Sequence, residues 1–230
     1  MVVATSTPWS GLEALASEFG ARLAVHGPNL GIGHDWNAAL DEVDTPWATL
    51  AHQDDVYLPD FVAGTLALTR SSPDVLLVAT GYAELLEPGG ILRKASSMLL
   101  IKRVLMELGY LGRRMIVTPS SKRRLLRFGC PIPCPSVSLR VDRTRFRFRE
   151  DLKVNLDWEA WLRLAAAPGA FAYDRRVLMH HRIHQGSETS AGVRGGIRAA
   201  EDQLIFESLW PAPAARLLSR MYALSYVEGR

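Results

Sequence analysis

Short apolar runs alternate along the chain with stretches in which apolar residues recur every three or four positions. Residues 2–5 read as a strand, 6–11 as a turn, and 12–19 as a helix with Ser10 as its cap. A second strand over 22–26 is broken by Gly27-Pro28-Asn29, and 35–43 is helical with Trp36, Ala39, Leu40 and Val43 on one face. Residues 47–51 form an apolar run of strand length that ends in His52-Gln53-Asp54-Asp55. Pro59 opens a helix to residue 71, and 75–80 is again a strongly apolar strand. Strand, helix, strand, helix, strand predicts an α/β layer structure with a mostly parallel sheet. In such sheets ligands collect beyond the carboxyl ends of the strands, where the Asp54-Asp55 pair falls.

Further on, Met98, Ile101, Leu105, Leu108 and Leu111 recur at helical spacing over 97–112. That stripe either packs on its own domain or, with the basic residues that follow it, lies on an anionic membrane surface through 97–127. A basic helix over 120–128 follows. Pro131, Pro133 and Pro135 then force an extended path into a strand over 136–141. Residues 156–167 read as a helix carrying Trp158, Trp161, Leu162 and Ala165 on one side and stopped by Pro168-Gly169. Residues 171–173 and 177–181 are two short extended pieces, Gly186 to Gly196 is a polar loop, and 197–226 is helical apart from a break at Pro211 and Pro213.

Composition narrows the class without naming a function. At 230 residues, 48% hydrophobic and 22% charged, the chain is an ordinary globular one, which excludes disorder, collagen and coiled coil as whole-chain readings. Cys130 and Cys134 are the two cysteines, so no second pair completes a four-ligand zinc site. Neither a signal segment nor a membrane span is visible, and the default location is the cytoplasm. The net charge of +3 hides an asymmetry: residues 1–92 carry −10, 93–149 carry +13, and 150–230 are neutral. The basic middle third attracts phosphate in any form and suits the inner face of a membrane. No recognisable nucleic-acid module accompanies it, so nucleic acid is not an expected partner. Arg143, Arg145, Arg147 and Arg149 alternate with Phe146 and Phe148 between them, as in a strand or extended edge with one basic face.

The acidic pair gains meaning from its company. Asn29-Leu30-Gly31-Ile32-Gly33-His34-Asp35-Trp36-Asn37 precedes it, and Asp157-Trp158-Glu159-Ala160-Trp161 and Arg182-Ile183-His184-Gln185-Gly186 follow far downstream. Over residues 1–190 this order of motifs resembles the family 2 glycosyltransferases, nucleotide-sugar enzymes of GT-A fold. The resemblance implies a GT-A-like, Rossmann-like sheet flanked by helices, with a helical C-terminal region. Residues 1–92 would form the donor part, 93–190 the acceptor and catalytic part of the same domain, and 191–230 a helical extension. The family's opening strand and its Pro-Thr-Tyr-Asn-like turn have no counterpart before Val2, which implies an open sheet edge there.

By resemblance Asn29, Gly31 and Asn37 belong to the donor site, together with His52, Asp54, Asp55 and Arg182. Asp54 and Asp55, with His184, would hold Mg²⁺ or Mn²⁺, for which carboxylates are hard oxygen ligands. The glutamate that usually precedes the late aspartate is Leu156 here; Asp157 remains as the expected general base. The resemblance implies transfer of a sugar from a nucleotide diphosphate donor to a hydroxyl of a saccharide or lipid-linked acceptor, with inversion. The alternative is a non-catalytic binding protein that keeps the fold.

Overall fold

The computed structural model describes residues 1–184, 186, 192–193 and 195–224. Its centre is a pair of long strands, β5 (Val75–Leu86) and β9 (Ala170–Ile183), which run parallel from Val75 opposite Ala170 to Leu86 opposite Ile183. β5 is buried over its first ten residues, which is why its apolar run is nearly continuous, whereas β9 is buried at its start and carries charged residues and histidines further on. Short antiparallel strands extend the sheet: β8 (Val137–Arg140) beside β5, β3 (Trp47–Thr49) beside β8, and β4 (Val56–Tyr57) beside β9. The order is β3-β8-β5-β9-β4, with β6 (Ile91–Arg93) added to β5 and β7 (Met115–Ile116) to β9. A separate two-stranded parallel sheet holds β1 (Val2–Thr5) and β2 (Arg22–Val25), joined by α1 (Leu12–Glu18). Among the described residues β1 pairs with β2 alone.

One face of the large sheet is covered by α3 (Phe61–Thr69), where Leu68 meets Val75, Val78, Ala170 and Ala172. The main core fills the other face. There Leu77, Ala79, Phe171 and Tyr173 meet α4 (Ser97–Tyr110), α5 (Pro119–Leu126) and α7 (Leu156–Ala166). Two C-terminal helices, α8 (Ile197–Leu209) and α9 (Ala212–Leu224), complete that same core, with Phe206 and Tyr222 against the Trp158 ring. Glu201 of α8 accepts backbone N–H bonds from Lys153, Val154 and Asn155 at 2.7 to 3.0 Å, tying the helix to the entry of α7. Lys122 of α5 has no exposed surface: its ammonium donates to the carbonyls of Ala167 and Gly169 at 2.6 and 2.9 Å, closing the end of α7.

Several expectations are corrected. Extended pieces 171–173 and 177–181 are one strand interrupted by a bulge at Arg175–Arg176, a form periodicity alone does not reveal. Residues 143–149 are not a ladder strand: 141–144 is a short helix, α6 (Val141–Thr144), and the rest follows an irregular path. The alternation still sorts faces, since Phe146 and Phe148 are buried while Arg147 and Arg149 pair with Asp41 and Asp151. In α4 the inward residues are Leu99, Met106, Gly109 and Tyr110, whereas Ile101, Leu108 and Leu111 of the expected inner stripe are exposed. Gly11 rather than Ser10 caps α1. The polar loop expected between Gly186 and Gly196 lies largely outside the described residues. No helix among the described residues is long and apolar enough to cross a membrane.

Candidate functional site

After β3 the chain leaves the sheet through residues 50–55 and returns as β4, which places His52, Asp54 and Asp55 on one tight loop. Their ligand atoms lie within 4.8 Å of one another, a set that could hold a metal ion. The Asp55 carboxylate is fully covered. Its Oδ1 accepts the Arg182 backbone N–H at 2.8 Å and lies 3.0 Å from His181 Nδ1, both from the end of β9. Its Oδ2 has no hydrogen-bond partner, and neither does His52 Nε2. Buried polar atoms left without hydrogen bonds on neighbouring side chains suit a cation, and the mixture of carboxylate oxygen and imidazole nitrogen fits Mn²⁺ at least as well as Mg²⁺. Burial lowers the His52 imidazole below its ordinary value against the pull of Asp55, which favours the neutral ligand form.

The same end of β9 supplies the second half. His184 Nε2 lies 3.0 Å from Asp54 Oδ2, and the Arg182 guanidinium bonds Glu87 and the Asp54 carbonyl. The pairing of His181 with Asp55 and of Glu87 with Arg182 was not foreseen from the sequence; the adjacent His180-His181-Arg182 was the available signal.

On the other side α2 (Ile32–Asp41) approaches through Trp36, whose ring lies 5.2 Å from that of His52. The helix is entered by a turn in which Asn29 Oδ1 accepts the Gly31 N–H at 2.9 Å. Gly31 takes a positive φ of 108°, which favours glycine, and has open space around it. Gly33 instead packs on the chain itself: a Cβ there would meet Leu156 and the Arg149 carbonyl at 2.8 and 2.9 Å. Asn37 is turned inward, its amide donating to Phe148 O and Glu150 while its oxygen accepts the Phe148 N–H. Beside the turn, Ser6 donates to Asp35 at 2.8 Å, and neither ring nitrogen of His26 has a hydrogen-bond partner.

Asp157 stands in the first turn of α7, half-buried, with Oδ1 accepting the Trp158 N–H at 2.7 Å. Burial pushes its carboxyl above the usual aspartate range; Lys102, the Trp158 amide and Arg198 oppose this. Cys134 links it to the loop site. Its thiol is pushed well up by burial and then by Asp157, Cys130 and Asp55, so both carboxylates act on one buried group. The structure thus brings Asp54, Asp55, His52, His184 and Arg182 together, sets Asp157 close to Cys134, and places Asn29 and Gly31 at the mouth of α2.

No family model and no curated protein matches the chain by sequence. Solved structures do match by fold. Residues 1–349 of S. aureus TarS are 12% identical with a TM-score of 0.56, over 95% of this chain and 59% of that one. The mannosyltransferase PcManGT from Pyrobaculum calidifontis, solved with GDP-Man and Mn²⁺, is 13% identical with a TM-score of 0.59, over 96% of this chain and 59% of that one. Glucosyl-3-phosphoglycerate synthase from Mycobacterium tuberculosis, solved with Mn²⁺, uridine diphosphate and glucosyl-3-phosphoglycerate, is 13% identical with a TM-score of 0.50, over 87% and 66%. The chain spans about three fifths of the length of the first two. With the layered sheet and the acidic loop at its strand ends, these likenesses give the chain the GT-A-type glycosyltransferase fold.

Proposed function

We propose that the protein is a glycosyltransferase that moves a sugar from a nucleotide diphosphate donor to a hydroxyl acceptor, with inversion and with a divalent metal. One observation carries this reading: the covered Asp55, with Asp54 and His52 beside it, sits at the end of β3 against His181, Arg182 and His184 of β9 within a GT-A fold. Asp54, Asp55 and His52 would hold Mg²⁺ or Mn²⁺, with His184 beside Asp54. The bound ion would neutralise charge on the leaving diphosphate. Arg182 orients a phosphate oxygen. Asn29, Gly31 and His26, which lies 3.9 Å from Asp35, offer polar groups to the nucleoside. Asn37 serves the donor site by fixing residues 148–150 rather than by touching the ligand. Asp157 takes the acceptor proton, and a single carboxylate base suits in-line displacement without a covalent intermediate.

Calorimetric titration of UDP and dTDP, with and without Mn²⁺, tests the donor site. Metal-dependent binding that Asp54→Ala abolishes is the expected result. A folded wild-type chain that binds neither nucleotide under any metal condition overturns it. The inward-turned Asn37 amide favours a second reading, a binding protein that keeps the fold without turnover. That reading predicts weak or no nucleotide binding, and Asp157→Asn without effect on any donor hydrolysis.

A further inference from the structure

We propose that the cavity under α4 is a subsite for a phosphate group carried by the acceptor. It measures about 520 Å³, within the range of small-molecule pockets, and lies between the middle of β5, α4 and the bulge of β9. Four cations line it, Lys94, Lys102, Arg103 and Arg175, against one carboxylate, Glu107. Glu107 is already taken by Arg175 in a bidentate pair at 2.7 and 2.9 Å. Among the described residues Lys94, Lys102 and Arg103 have no carboxylate partner, and Arg103 makes only a long contact of 3.4 Å with the Tyr82 carbonyl. Lys102 and Arg103 are half-buried and Lys94 is exposed; with no carboxylate bonded to any of the three, together they favour a phosphate over a singly charged carboxylate.

A second observation points to a ligand independently of charge. Tyr82 lines the cavity and is only 6% exposed; its hydroxyl lies beside the Lys102 ammonium but makes no hydrogen bond of ordinary geometry. Buried donors are normally satisfied, and a phosphate oxygen is a strong acceptor. The backbone is shaped for the same purpose. Gly81 lines the cavity, and a Cβ on it would strike the carbonyls of Arg175 and Arg176 at 2.7 Å, so the bulge that carries Arg175 over the cavity requires glycine.

The cavity also adjoins the proposed reaction site, on whose reading its assignment to the acceptor rests. The Tyr82 ring lies 6.3 Å from that of His181, which holds Asp55, and Lys102 is the foremost cation acting on Asp157. An acceptor anchored there by phosphate would be held between the donor and the base. A soluble phosphate ester and a phospholipid headgroup share this chemistry.

The test is titration of glycerol 3-phosphate into the whole chain without metal, with glycerol as the neutral counterpart. Binding of glycerol 3-phosphate alone is expected, weakened about tenfold or more in Lys102→Gln/Arg103→Gln. Tyr82→Phe should weaken it about threefold or more, by removing a buried donor that lies beside Lys102 in the cavity. Vesicles containing phosphatidic acid separate the sources. Retention that glycerol 3-phosphate competes away and that the double variant loses supports a headgroup, and binding of the soluble ester alone supports a free acceptor. The proposal is overturned if the folded wild type binds glycerol as well as its phosphate, binds neither, or binds the phosphate as tightly in both variants. Asp54→Ala keeps the two readings apart: glycerol 3-phosphate binding should survive it while Mn²⁺-dependent UDP binding does not. If the ester binds and UDP does not bind even the wild type, the cavity stands and the donor site falls.

Discussion

At Asp157 the surroundings set both a pH range and a stability cost. The ordinary aspartate value is about 3.9, and burial lifts this one in the folded protein. A base with a raised value loses activity as pH falls through that value, so the acid limb of kcat/KM should lie above the ordinary range. The stability effect has the opposite sense. A carboxyl with a raised folded value holds its proton more tightly in the folded state, so its contribution is lost as pH rises through that value. Asp157→Asn should therefore be at least as stable as wild type at neutral pH by thermal melting, while transfer falls about 100-fold or more, as loss of a general base predicts. A variant that is less stable yet fully active would show that Asp157 only favours the helix start. The acidic loop was legible because His52, Asp54 and Asp55 are neighbours in the chain. His181 and Glu87 were not, because their partners depend on how β9 and β5 are registered, which no local pattern encodes. Asn37 carried the right motif, but only its three bonds to residues 148–150 reveal that its amide faces inward.

Helix α4 divides its labour between two faces. Lys102 and Arg103 line the cavity, while Leu100, Ile101, Val104, Leu108 and Leu111 are 50 to 59% exposed on the side away from the core. The spacing of apolar residues made the helix evident. It misassigned the face, since aliphatic periodicity does not reveal that a lysine and an arginine are needed inward. Exposed Arg113, Arg114, Arg123 and Arg124 lie close in the chain to the apolar stripe, a combination suited to an anionic lipid surface. Retention on vesicles of phosphatidylglycerol and phosphatidylcholine should exceed that on phosphatidylcholine alone, fall with salt, and be lost in Val104→Glu/Leu108→Glu. Equal retention on both kinds of vesicle would remove the membrane from the account. The longer strands were readable from the alternation of runs, but their order in the sheet was not, and neither were the short β4, β6 and β7, because two or three residues carry no period. Their existence is a consequence of tertiary pairing with β5 and β9.

For the molecule as a whole, cohesion is unequal. Residues 75–86 and 170–183 are knitted by a long ladder, and the C-terminal helices join the same core through Phe206 and Tyr222. In residues 1–31 only Ala16 is buried, and the two-stranded sheet shares no ladder with the larger one. Local opening follows such differences in burial and bonding. Native-state hydrogen exchange should find the amides of 2–25 opening at far lower free energy than those of 75–86, and uniform protection would contradict this. Lys122 lends the protein a chemical clock for the opposite extreme. Because its amine is enclosed between α5 and the end of α7 and bound to two carbonyls, amine-reactive reagents should acylate Lys94 and Lys153 at once and reach Lys122 only in molecules that have come apart completely. The rate at which that one peptide gains mass would count global unfolding events under native conditions, with no denaturant and no engineered probe.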